Sequence, residues 1–225
     1  MKAIRLFMLI FSVIPMVLMA QNSESQQKPH VTIATIGPVD SGKTALTCAI
    51  NNILYRAGLT DRQLTFEQID SAPEERERGI SIYPYTLEYE TEKVRYTHID
   101  CPGDEDCLRR TAKAIKHIDG AIFVISAYRY PWREDNWKSE TERVLKIAKK
   151  AKVKKLIVFL NKADLADYKY IETSVPDVRT LIEKYGYSKE TPIIKGSAPG
   201  ADVGIEIWEE GVKNLLNTCD EWFTK

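Results

Sequence analysis

The segment Gly37-Pro38-Val39-Asp40-Ser41-Gly42-Lys43-Thr44 places two glycines, a lysine and a threonine where a loop can wrap a phosphate. The glycines let backbone N–H groups turn inward, Lys43 can reach the outer phosphates, and the Thr44 hydroxyl can bind Mg²⁺. Further along, Asp100-Cys101-Pro102-Gly103 puts a carboxylate where a cation would sit and the Gly103 N–H where a γ phosphate would sit. In Asn161-Lys162-Ala163-Asp164, Asp164 can accept two hydrogen bonds from guanine N1 and N2, which adenine does not supply. Asn161 and Lys162 would brace that loop and cover the ring face. Gly196-Ser197-Ala198 would then offer the backbone N–H groups of Ser197 and Ala198 to guanine O6. Taken singly, such short strings also arise as ordinary turns. Their order and spacing together point to GTP or GDP bound with Mg²⁺.

These loops need strands and helices to hold them. Val31 to Ile36 is β-branched and apolar, and a helical pattern runs from Lys43 to about Ala57, so the first motif has a strand before it and a helix after it. Alternation in Thr86 to Tyr89 and Val94 to Ile99, around Thr91-Glu92-Lys93, predicts a hairpin that ends at Asp100. Ala121 to Ser126 and Leu156 to Leu160 are continuous apolar runs, as in strands buried on both faces. Helices are expected over 105–118, 139–151, 175–184 and 205–223, and a strand over 192–195. The alternation predicts an α/β fold of the P-loop NTPase kind, a mostly parallel central sheet with helices on both faces in a single domain.

Composition agrees with one well-buried unit: 225 residues, 44% apolar, with Lys plus Arg and Asp plus Glu equal at 32 each. This balance gives no reason to expect a polyanionic partner from net charge alone. The N-terminus departs from the rest. Lys2 and Arg5 precede an apolar run from Leu6 to Met19, and Ala20 then leads into a polar stretch, which is the order of a secretory signal peptide. Three readings stand: a cleaved signal over 1–20 that exports the domain to the periplasm or beyond, an uncleaved membrane anchor through residues 4–20, or a buried terminal element. Residues 21–30 read as a linker and 31–225 as the nucleotide-binding domain. With the signal removed, no stable membrane span is expected. Cys48, Cys101, Cys107 and Cys219 lack metal-ligand spacing and read as buried thiols, with a disulfide as the alternative.

Beyond the short motifs, Phe66-Glu67-Gln68-Ile69-Asp70-Ser71-Ala72-Pro73-Glu74-Glu75-Arg76, Arg78-Gly79-Ile80-Ser81-Ile82 and Val158-Phe159-Leu160-Asn161-Lys162 resemble the GTPase domain of bacterial elongation factor Tu, over about residues 29–222. The resemblance implies that Arg78 to Ile82 is the first switch and that Ser81 joins Thr44 on Mg²⁺. It also implies that Val39 and Ile80 flank the attacking water. The chain departs from that pattern at several places. Asp104 stands where the family has the histidine that orients this water, which makes Asp104 the candidate catalytic residue and predicts slow hydrolysis. Pro38 and Ser41 replace histidines, and Ala45 replaces a second threonine that touches phosphate. The segment Tyr128 to Trp137 is longer and rich in aromatic residues and Arg, which suits a protein-partner site or a loop packed on its own domain. The family continues into two β-barrel domains that complete the grip on aminoacyl-tRNA, so that partner is not expected for a chain stopping at Lys225. Two functions follow: a GTP-binding switch with slow turnover, or an exported, catalytically weak mimic acting as a binding module or decoy.

Overall fold

The β-branched run His30–Ile36 forms strand β1, which is buried along most of its length. A computed structural model describes residues 27–70, 82–104, 114–129 and 135–225, together with positions 72, 77, 109 and 112. The expectations for residues 1–20, Ser81, Ile80, Cys107 and most of 105–113 and 130–134 therefore lie outside the described residues.

In the described residues β1 is central to a six-stranded sheet ordered β2-β3-β1-β4-β5-β6. The other strands are β2 Tyr85–Glu90, β3 Arg95–Asp100, β4 Gly120–Ser126, β5 Leu156–Asn161 and β6 Ile193–Lys195. All neighbouring pairs are parallel except the β2–β3 hairpin. Register pairs Thr35 with Asp100 and Ser126 with Asn161, so the loops after β1, β3 and β5 all leave from one edge.

The helices are α1 Lys43–Arg56, α2 Phe66–Ile69, α3 Asp135–Lys150, α4 Tyr168–Lys184, α5 Ala198–Asp202 and α6 Glu206–Phe223. One face of the sheet packs Ile36, Phe123 and Val158 against Leu145 of α3 and Ile182 of α4. The other packs Ile33, Val124 and Phe159 against Leu46 and Ile50 of α1 and Leu215 of α6. Strands buried on both faces explain why their sequences read as unbroken apolar runs.

Two helices start earlier than expected. α3 begins at Asp135, and α4 at Tyr168 rather than Val175, with Pro176 inside it. Asp167 caps α4 by accepting the Lys169 N–H at 2.8 Å. The carbonyl that Pro176 leaves without an N–H belongs to exposed Glu172, where water can take the bond. Within 105–118, the described stretch Ala114–His117 is a 3-10 turn. Cys48, Cys101 and Cys219 are buried free thiols. No helix among the described residues is long and apolar enough to cross a membrane.

Inside the sheet, His98 of β3 is fully buried, bonded by Nε2 to Thr35 Oγ1 and by Nδ1 to the Tyr89 hydroxyl at 3.3 Å. Burial depresses its pKa to about 3. The folded protein therefore holds this ring neutral while an unfolded chain protonates it near pH ~6.5. Stability from this group is present above that value and is lost as the pH falls, by up to about 1.4 kcal/mol per pH unit down to about pH 3. Buried Asp100, whose pKa is raised to about 7, contributes a slope of the opposite sign in the same range. The His98 slope is therefore read as the difference between urea titrations of the wild type and His98→Asn, which should change by about one proton between neutral pH and about pH 5.

Candidate functional site

β1 stops at Gly37 and α1 starts at Lys43, so the intervening loop folds back over the strand ends, with Asp40 at φ 58 and Gly42 at φ 87. The left-handed Gly42 also lies against Asn161, where an added Cβ would collide with Nδ2. On the far side, an added Cβ at Gly103 would stand 2.5 Å from Lys43 Nζ and 2.9 Å from Val39 N. Only glycine permits that approach of two backbones.

Between these loops is a cleft of about 260 Å³ lined by Val39, Asp40, Gly42, Lys43, Thr44, Ala45, Phe66, Asp70, Gly103, Asp104, Asn161, Lys162 and Pro199. It opens beyond the C-terminal ends of the strands, where open α/β sheets bind ligands. Gly37, Pro38, Ser41 and Asp100 are buried behind its wall. Asp164 is exposed, on the 3-10 turn Ala163–Leu165 that follows Lys162. Ser197 and Ala198 are fully buried at the base of the neighbouring loop.

Asn161 ties these pieces together. Its Nδ2 donates to the Ser41 carbonyl at 2.9 Å, and its Oδ1 accepts the Ala198 N–H at 2.8 Å. Thus the Ala198 N–H, expected at guanine O6, is committed to the frame, and Ser197 uses its hydroxyl to accept the Gly200 N–H at 3.1 Å. The Gly196 N–H donates to the Leu160 carbonyl at 2.9 Å, and the Ala163 N–H to the Gly196 carbonyl at 3.1 Å. The phosphate loop, the Asn161–Asp164 loop and the Ser197–Ala198 loop therefore form one rigid unit.

The electrostatics of the cleft are dominated by burial. Lys43 donates Nζ to the Pro38 carbonyl at 2.8 Å, and burial lowers its pKa while the Asp100 carboxylate opposes the shift. Asp100 is pushed up to about 7 by burial, against the pull of Lys43 and a hydrogen bond from Thr44. Thr44 Oγ1 donates to Asp100 Oδ2 at 2.8 Å, while buried Oδ1 has no hydrogen-bond partner. Asp40, Asp70 and Asp104 add further carboxylates to the same cleft. A polyphosphate entering it would meet several negative groups besides the Lys43 ammonium, an arrangement in which a divalent cation between them would be favourable. The orphaned Asp100 oxygen beside the Thr44 hydroxyl is a hard-oxygen donor set that fits Mg²⁺.

Asp70 and Phe66 were not among the residues expected to line the site. Asp70 follows the last residue of the short helix α2, its N–H held by the Phe66 carbonyl at 2.9 Å, and is 6% exposed. The signal for it was Thr65-Phe66-Glu67-Gln68, a helix-start pattern in which the Gln68 side chain accepts the Thr65 N–H at 3.0 Å. Ser41 also differs from a simple phosphate contact, since it is fully buried with its hydroxyl unbonded.

Asn161→Ala would strand the Ser41 carbonyl and the Ala198 N–H in a dry environment, so an equilibrium urea titration should show a loss of about 2–3 kcal/mol. The same variant should bind nucleotide much more weakly, because both loops lose their common anchor. The elongation factor Tu GTP binding domain matches this chain over residues 28–225. With the loops, the strand order and that match in agreement, the chain belongs to the elongation factor Tu GTP-binding domain family and is a GTP-binding GTPase of that type.

Proposed function

We infer that the domain holds GTP and GDP with Mg²⁺ and hydrolyses GTP slowly. The observation that carries this reading is the Asn161 bridge, which sets the phosphate loop and the guanine-side loop in one frame. Within that frame, Lys43 and the inward N–H groups of Gly37 to Thr44 bind the phosphates, and Asp164 at the rim accepts the guanine N–H groups. Thr44 would hold the cation, with Asp100 behind it and Ser81 as the further proposed ligand. Bound Mg²⁺ supplies positive charge to the β and γ phosphates.

Slow turnover is inferred from Asp104. This residue lines the cleft next to Gly103, whose backbone packs against Lys43 and Val39. A carboxylate there can orient water, yet it places negative charge beside an already anionic phosphate. It cannot donate an N–H in the way an imidazole can.

Titration of the protein with fluorescent GDP and GTP, with Mg²⁺ present or chelated, is the direct test. Saturable binding that Mg²⁺ strengthens and ATP fails to displace is expected, with Asp164→Ala weakening it by about 100-fold, the loss of two charge-assisted hydrogen bonds. Absence of binding at millimolar nucleotide would leave the fold as an inherited scaffold and favour the binding-module reading. In single-turnover assays, Asp104→His should raise the hydrolysis rate by at least about tenfold. An unchanged rate would remove Asp104 from the account of slow turnover.

A further inference from the structure

Parallel strands bring their N-terminal ends to the edge of the sheet opposite the nucleotide cleft, and that edge carries a concentration of lysine. α3 ends there with Lys146, Lys149 and Lys150, and the turn into β5 adds Lys152, Lys154 and Lys155. Six of the ten residues from 146 to 155 are lysine and none is acidic, in a chain whose formal net charge is zero. Lys149 and Lys155 are partly engaged, donating to the Gly186 carbonyl at 3.2 Å and the Trp222 carbonyl at 3.1 Å. Lys146, Lys150, Lys152 and Lys154 are exposed. Carboxylates also occur near this edge: Glu90 is bridged by Lys28 at 2.8 Å, Asp119 accepts the Thr32 N–H at 2.7 Å, and Glu92, Glu183, Glu190 and Glu221 are exposed. The acid-free lysine segment 146–155 thus stands at the end of the domain opposite the carboxylate-lined cleft.

Helix stability explains only part of this. Lys149 and Lys150 complement the partial negative charge at the end of α3. Lys152 does not. It follows the helix at φ 65, with its N–H on the Lys149 carbonyl at 3.0 Å and the Val153 N–H on the Ala148 carbonyl at 3.1 Å. This is the helix-stop position that glycine adopts without strain. A long cationic side chain is held there against the preference of the backbone.

The position of the chain's entry selects the partner. β1 begins on this same edge, separated from β5 by the single strand β4, or about 10 Å at ordinary strand spacing. The sequence leading into β1 carries the apolar run Leu6 to Met19 behind Lys2 and Arg5. An apolar run joined to the lysine-lined end of a domain is the arrangement that reads a bilayer bearing anionic headgroups. We propose that this edge is a membrane-facing surface that seats on anionic lipid headgroups, leaving the nucleotide cleft turned toward solvent.

Flotation of the full chain with phosphatidylcholine vesicles, with and without phosphatidylglycerol, tests the proposal. The anionic vesicles should bind roughly 100-fold more tightly at low salt, at about fivefold per lysine, and the difference should collapse in high salt. The triple variant Lys150→Gln/Lys152→Gln/Lys154→Gln should lose that preference, whereas Lys169→Gln/Lys195→Gln, at the cleft end of the domain where α4 starts and β6 stops, should keep it. Lys152→Gly should raise the Tm while weakening binding to anionic vesicles by about fivefold, a combination that a purely structural lysine would not give. Equal binding to both vesicle types, or wild-type binding by the triple variant, would overturn the proposal. So would release from anionic vesicles by a single-stranded RNA homopolymer at equal phosphate concentration, which would assign the edge to nucleic acid.

Discussion

The carboxamide of Asn161 is the interaction on which the site's geometry depends. Donating to the Ser41 carbonyl and accepting from the Ala198 N–H, it joins loops that follow three different strands. Both bonds are buried, so neither partner can exchange it for water, and the cost of losing either is the desolvation of a backbone group. An aspartate in its place could not donate, and a longer glutamine would press on Gly42, which already touches this side chain. The loops that face phosphate and those that face the base are consequently not independent modules. They share a single hinge-free support at the end of β5.

Around that support, charge is arranged for a ligand rather than for the isolated domain. Lys43 and Asp100 are both buried deeply enough that each is drawn toward its neutral form, and an Asp100 oxygen has no hydrogen-bond partner. Such groups are costly in a purely structural role. A polyphosphate and a hard cation reverse the sign of both effects: the anion favours the lysine ammonium and the cation favours the carboxylate. The cleft is therefore a place where binding energy is set against a pre-existing electrostatic strain, so occupancy is expected to stabilise the fold as well as the loops.

Much of this was readable before the structure, and the exceptions have identifiable causes. Strand–loop–helix around Gly37 to Thr44 was legible because glycine and lysine there meet conformational and chemical needs that few other contexts share. The hairpin was legible because one face is buried and the other is not, giving alternation in Tyr85–Glu90 and Arg95–Asp100. The start of α4 was missed because Pro176 resembles a helix beginning, whereas its only demand is that the carbonyl of residue 172 face water. Asp70 was missed as a cleft residue because its position depends on the short helix α2 and on contacts distant in sequence. The tie from the Ala198 N–H to Asn161 Oδ1 was not legible because it joins loops 37 residues apart in sequence.

A last feature concerns how the chain reaches this arrangement. The β2–β3 hairpin is the most local pairing in the sheet, its turn closed by the Thr91 N–H on the Val94 carbonyl at 2.9 Å and the Val94 N–H on Thr91 Oγ1 at 3.0 Å, yet it is also tied to a distant helix. Thr91 Oγ1 donates to the Asp220 carboxylate at 2.9 Å, and the Tyr96 hydroxyl donates to it at 2.7 Å, across 129 and 124 residues. Asp220 lies on α6, and burial raises its pKa against these bonds. The Thr91 and Tyr96 hydroxyls are what compensate the burial of the Asp220 carboxylate when α6 docks on the hairpin. The sheet's edge and the final helix are thus coupled across more than a hundred residues, a long-range tie beyond those of the parallel strands.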